Sequence, residues 1–246
     1  MLTRPAWVSF NERERRRLRY VWDDTRALLD FKGDASWVVG ASMKMSLRAR
    51  MALCMGLYEW VLWRFDGMIS RPEPLQIAQA GWCATVDPRY LLFYELTRNE
   101  WQGPVDGPMW CATAWLQPAM SEAHRFPRHV YDAISFLTRL ALHVVPDVVP
   151  FERWLALTLE RLARDWPPAP DDPFSDLFSR EPQARLGPLI GRSALDPALP
   201  PDRQRMQQFL ADLLSGIRVS GNPFFATPDD LGELGFVGTP YVLPRI

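Results

Sequence analysis

Met51-Ala-Leu-Cys-Met-Gly-Leu-Tyr-Glu-Trp-Val-Leu-Trp63 is an almost unbroken apolar run that contains a single carboxylate. A membrane-spanning helix needs about 20 consecutive apolar residues. This run is closed by Arg48 and Arg50 on one side and by Arg64 and Asp66 on the other. From a start near Met43, Leu47, Met51, Cys54, Tyr58, Val61 or Leu62, and Phe65 share one helical face, while Leu53, Leu57 and Trp60 cover much of the opposite one. A helix apolar on most sides sits in the middle of a bundle, so the run predicts a buried central helix and no membrane insertion.

Outward from this segment, helical spacing dominates the first two thirds of the chain. Asn11 followed three residues later by Glu14 resembles a capping box. Beyond it Leu18, Val21, Trp22, Thr25 and Leu28 or Leu29 recur every three or four residues, which predicts a first helix over 12–31. Prolines, which cost nothing at a first helical position, mark later starts. Asp87-Pro88 precedes 89–96, Gly107-Pro108 precedes 109–116, Pro127 opens a stretch to Val144, and Pro150 precedes 151–162. Extended signals are confined to Trp37-Val38-Val39 and the extreme tail. Trp82-Cys-Ala-Thr85 recurs as Trp110-Cys-Ala-Thr113. A solenoid needs at least three units, so the recurrence reads as two helices presenting the same packing face to one another, or as a degenerate helical-hairpin repeat.

Beyond Trp166 the texture changes, with prolines at 167, 168, 170 and 173 among acids and isolated aromatics. Such a stretch is expected to wrap the helical body, with a short helix near 174–179. A helix over Asp202–Leu214 ended by Gly216, a capped turn at Thr227-Pro228, and an ordered tail follow. The expected fold is all-α: a single multi-helix orthogonal bundle of about seven to nine helices, with a Pro-rich irregular segment and an extended C-terminal tail. Residues 1–166 form the helical core, and 167–246 belong to the same domain.

The 28 Lys and Arg residues against 29 Asp and Glu leave a net charge of −1, so no global field draws the chain to nucleic acid. Arg13, Arg15, Arg16, Arg17 and Arg19 are interleaved with Glu12 and Glu14, which reads as a solvated face. Cys54, Cys83 and Cys111 are odd in number and set in apolar surroundings, as reduced core residues would be. With no secretory apolar stretch in the first ten residues, the expectation is a cytoplasmic protein. Only Lys32 and Lys44 are lysines; this arginine bias suits a GC-rich bacterial genome.

The familiar signatures of chemistry are missing. His124, His129 and His143 form no zinc-protease motif, and Glu122, His124, His129 and Asp132 would gather ligands only if a turn brought them together. No nucleotide-binding or nucleophile-elbow motif occurs, and neither a cofactor nor a metal is expected. Glu59, between Tyr58 and Trp60, must find partners or stay protonated; an ion pair or a tryptophan N–H is the structural answer, a pocket acid the functional one. Trp101, Trp166 and the Phe224-Phe225 pair fall in loops, where exposed aromatics mark interfaces.

These features favour a binding protein over an enzyme. The expected partner is a protein, as for an immunity protein that occludes a cognate toxin or effector. Its expected surface combines Asp171, Asp172, Phe174 and Asp176 with Phe224, Phe225, Asp229, Asp230 and Glu233. The alternatives are a helical enzyme or small-molecule binder with a pocket near Glu59, Trp63, Tyr94 and His129, and a secretion-system adaptor or chaperone.

Overall fold

A computed structural model describes residues 2–26, 31, 33–168 and 186–244. Within them the chain forms α1 (Glu12–Arg15), α2 (Ser36–Ser42), α3 (Leu47–Arg64), α4 (Glu73–Ala84), α5 (Gly103–Ser121), α6 (Pro127–Val144), α7 (Val148–Asp165), α8 (Arg203–Ser215) and α9 (Pro228–Glu233). Four 3-10 turns lie at Pro88–Tyr90, Arg98–Glu100, Arg192–Leu195 and Val219–Gly221. Among the described residues the only β pairing is one antiparallel bridge, Leu91 to Phe225. The fold is an all-α multi-helix bundle.

The central helix is where the sequence places it. Ser46 caps α3 through Ala49 N at 3.3 Å, and every residue from Met51 to Phe65 is buried. Helices α4, α5 and α6 pack around it, and the Arg192–Leu195 turn closes a further side. Burying each of its large apolar side chains contributes about 1.5–3 kcal/mol. Two glycines set the closest approaches: a Cβ at Gly81 would lie 2.5 Å from Met55 Sδ, and one at Gly56 would lie 2.9 Å from both Leu195 Cδ1 and Trp154 Cζ2. An aromatic group then ties the amino terminus to α3 and α7. Trp7 stacks on Trp154 at 4.9 Å, while Trp60 meets Phe10 and Phe151 edge-on at 5.4 and 5.3 Å.

Helix α6 begins at Pro127 and ends at Val144, as its proline and stripe indicate. Helix α7 starts slightly ahead of Pro150, capped by Asp147. Asp202 caps α8, and Gly216 ends it. Thr227 and Asp230 form a capping box on α9. The two Trp-Cys-Ala-Thr segments lie at the end of α4 and within α5, two helices that pack on one another. The tail is laid on Tyr90: Tyr241 N donates to Tyr90 Oη at 3.1 Å, and the two rings stand 4.5 Å apart.

Four expectations are corrected. The first helix stops at Arg15 instead of running through the twenties, although Asn11 caps it as expected. Its continuation is prevented by Arg64, whose buried guanidinium donates to the carbonyls of Arg15 and Arg17, groups a longer helix would use internally. Trp37-Val38-Val39 is helical, inside α2, because Val38 is drawn into the core. Asp87-Pro88 opens only a 3-10 turn; the chain after it extends because Leu92 N donates to Phe224 O at 2.9 Å and Tyr90 O accepts from Ala226 N at 3.1 Å. Helix α5 starts at Gly103 and runs through Pro108, not from it. Pro108 has no N–H for the carbonyl of Pro104, and the Tyr20 hydroxyl donates to that carbonyl instead.

The expected short helix near 174–179 lies outside the described residues. No helix among those described is long and apolar enough to cross a membrane.

Candidate binding site

Glu59 is fully buried, and its surroundings account for it. Trp82 Nε1 donates to Oε1 at 2.7 Å and Trp63 Nε1 to Oε2 at 3.3 Å. Arg192, from the turn packed on α3, places Nε 3.0 and 3.1 Å from the two oxygens and Nη2 2.5 Å from Oε2. That arginine also reaches Thr3 O at 2.7 Å, so one carboxylate holds four parts of the chain together. A buried carboxylate with both oxygens committed to an arginine fork and two indoles is a structural anchor.

The rest of the Glu59 pocket does not assemble around it. Trp63 is the only one of the other three that Glu59 bonds. Tyr94 is held elsewhere: its N–H donates to Gln117 Oε1 at 2.7 Å, and its ring meets Phe224. His129 sits with Nδ1 3.1 Å from Glu122 Oε2 and its ring beside Phe126. Asp132 pairs with Arg128 at 3.5 Å. Among the described residues no three His, Cys, Asp or Glu side chains gather as a metal site would require. Burial pushes the thiols of Cys54 and Cys83 well up and that of Cys111 to about 12, which leaves all three as inert core residues at neutral pH.

The acidic and aromatic surface expected from sequence is only partly present. Asp171, Asp172, Phe174 and Asp176 lie outside the described residues. Phe224 and Phe225 are buried, a correction to their expected exposure. Asn222 makes the turn that draws them inward: its side chain accepts from Phe224 N at 3.0 Å and donates to Gln76 O at 2.9 Å. Trp101 and Trp166 are likewise buried, Trp101 beneath the Arg71 guanidinium at 4.0 Å. On α9, Asp229 and Glu233 are exposed. Asp230 completes the capping box, and its hydrogen bonds from Thr227 hold its carboxyl below the usual range.

A cavity of about 330 Å³ lies where the 88–93 segment, the end of α5 with the turn after it, and the end of α9 converge. Asp87 is among its lining residues. It caps the 3-10 turn through Arg89 N at 3.0 Å and grips the Arg89 guanidinium at 2.7 and 3.0 Å. Arg48, from α3, supports this corner from below by donating to Thr85 O and Val86 O at 2.6 and 3.2 Å; burial pushes its pKa down to about 10. The cavity's polar wall holds Ser121, Glu122, His124 and Arg125, and its apolar wall holds Leu91, Leu92, Phe93, Leu186 and Leu234.

Large apolar side chains stand exposed at this site. Phe93, in the wall, is 66% exposed and Leu234 37%. Tyr94 and Phe126, chain neighbours of lining residues, are 42% and 55% exposed. Exposed aromatic side chains such as Phe93, at the wall of a concavity, are what protein interfaces use as anchors. Sequence reasoning named Tyr94 but missed Phe93, Phe126, His124 and Arg125 as a group, because three segments far apart in the chain meet here. Comparison of the chain with protein-family models, with curated proteins and with solved structures finds no match.

Proposed function

We propose that the chain works by binding another protein through the face that carries Phe93, Tyr94, Phe126 and Leu234, and that its finer role is to neutralise a toxin or effector by occlusion. The observation that carries this reading is Phe93, held exposed in the wall of the cavity, with Tyr94 and Phe126 exposed next in the chain to lining residues. Holding such groups in water is unfavourable, and a partner that covers them recovers that free energy. Charged side chains border the face, as polar residues do at the rims of interfaces. Glu59, the acid on which a pocket chemistry would turn, is committed to Arg192 and two indoles.

The test is capture by the tagged chain from extracts of its host, run in parallel with a Phe93→Ser/Phe126→Ser double variant. Both positions are largely exposed, so the variant is expected to keep the wild-type circular dichroism and thermal transition. The wild type should retain one stoichiometric protein, and the variant should lose it by more than tenfold in affinity. Equal retention by the two proteins would remove this face. For neutralisation, the captured protein should lose its own activity on mixing with the wild-type chain and keep it on mixing with the variant.

A further inference from the structure

We infer that residues 4–21 carry a second docking surface, which takes a protein segment that sets carboxylates beside apolar side chains. This stretch holds Arg4, Arg13, Arg15, Arg16, Arg17 and Arg19 against two carboxylates, Glu12 and Glu14. Each carboxylate is already shared: Glu12 lies 2.6 Å from Arg4 and 2.8 Å from Arg15, and Glu14 lies 2.9 Å from Arg19 and 3.4 Å from Arg17. The buried Arg64 guanidinium, which donates to the carbonyls of Arg15 and Arg17, adds positive charge beneath them. Asp66, whose carbonyl accepts from Arg15, and Asp23, two residues beyond Val21, offset only part of the excess. The excess is one of composition over a continuous stretch, and it does not turn on any single arginine being unpaired. Tyr20 donates to Pro104 O near the start of α5, whereas the cavity lies at the end of that helix, so the two surfaces are separate.

Arg13 and Arg16, three positions apart on α1 and its cap, share one side of that helix, and both are exposed, as are Arg17 and Arg19. A guanidinium fork matches the two oxygens of a carboxylate. Leu18 and Val21 stand among these arginines 37% and 77% exposed, and covering them requires hydrocarbon from the partner, which a phosphodiester backbone does not offer. The aromatic rings of this region are not free to stack on bases, as binding of a single strand would require. Tyr20 packs against Phe65 and His143, and Trp22 packs against Phe31 and donates its indole N–H to Asp24. A bilayer of anionic headgroups would press negative charge onto Glu12 and Glu14 as well as onto the arginines, whereas a protein can set its own donors opposite those two acids.

The probe is the end-blocked peptide Glu-Leu-Glu-Glu-Val-Glu, titrated into the full chain at pH 7 in about 0.15 M salt and followed by amide NMR, with Gln-Leu-Gln-Gln-Val-Gln as the uncharged control. Saturable shifts centred on residues 13–21 are expected. Binding should be at least tenfold weaker for the control peptide and for Arg13→Glu/Arg16→Glu, and several-fold weaker for Leu18→Ser/Val21→Ser. All four positions are exposed, so both variants should keep the wild-type thermal transition. Equal affinity for the two peptides, or no binding of either, would overturn the inference. So would tighter binding of a single-stranded oligonucleotide of equal charge, or of phosphatidylcholine vesicles containing phosphatidylserine, which would assign the surface to nucleic acid or to lipid. The Phe93→Ser/Phe126→Ser variant should bind the acidic peptide as the wild type does, so failure at one surface leaves the other standing.

Discussion

Replacing Arg192 with methionine is expected to destabilise the protein by about 3–5 kcal/mol, the cost of leaving a buried carboxylate without its cation. Glu59 has no exposed surface, and the Arg192 side chain is 12% exposed. Little water can therefore reach Glu59 in place of the guanidinium, and the indole donors of Trp63 and Trp82 cannot supply a positive charge. The midpoint of urea unfolding should fall with little change in slope, since the surface exposed on unfolding is nearly the same. A second change, Glu59→Gln in the Arg192→Met background, should restore much of the loss. Glutamine keeps an oxygen for one indole and removes the uncompensated charge. A single-variant loss below about 1 kcal/mol, in the range of an exposed ion pair, would mean that Glu59 is not the anchor described.

The second large effect is at Arg64. Its guanidinium is fully buried and donates to Val144 O at 2.7 Å, to Arg17 O at 2.9 Å and to Arg15 O. Val144 ends α6 and Arg15 ends α1, so this one side chain satisfies carbonyls that helix ends leave without partners. Arg64→Met removes the donors of all three carbonyls, and at about 1–3 kcal/mol for each buried unsatisfied group the expected loss is at least about 3 kcal/mol. Arg64→Lys should recover only part of it, because a compact ammonium cannot span the separate carbonyls that a planar fork reaches. Thermal unfolding of the three proteins side by side would show the ranking. A lysine variant as stable as the wild type would contradict the bridging role.

Arg64 also explains where sequence reading stopped. The Met51–Trp63 run declares a buried helix through its own composition, and Pro127, Asp202 and Thr227 mark helix starts by local chemistry. Such features act over a few residues and are legible. The end of α1 at Arg15 depends on a guanidinium nearly fifty positions away, and no spacing within residues 12–31 records it. The arginine bias has the same origin in part. Arg48, Arg64 and Arg161 each donate to more than one backbone carbonyl from buried or nearly buried positions, a task for which lysine is poorly shaped.

The candidate site shows the same division. Glu59 was legible as a buried acid in need of an arginine or a tryptophan N–H, because its neighbours in the chain are apolar. Which arginine answers it was not, since Arg192 comes from a distant turn. Phe224 and Phe225 looked like exposed loop aromatics, but the Asn222 turn buries them against the 90–92 segment. The cavity was least visible of all: Phe93 and Arg125 are unremarkable in their own segments and acquire meaning only when the end of α5 and the end of α9 bring them together.

The most direct measurement is hydrogen–deuterium exchange of the chain alone and with its captured partner. Protection is expected over 88–94, 121–126 and the end of α9 around Leu234, with little change in α3. Protection centred instead on Val149 and Leu157, exposed apolar residues of α7 beside the Trp7–Trp154 stack, would contradict the account and move the binding face to α7.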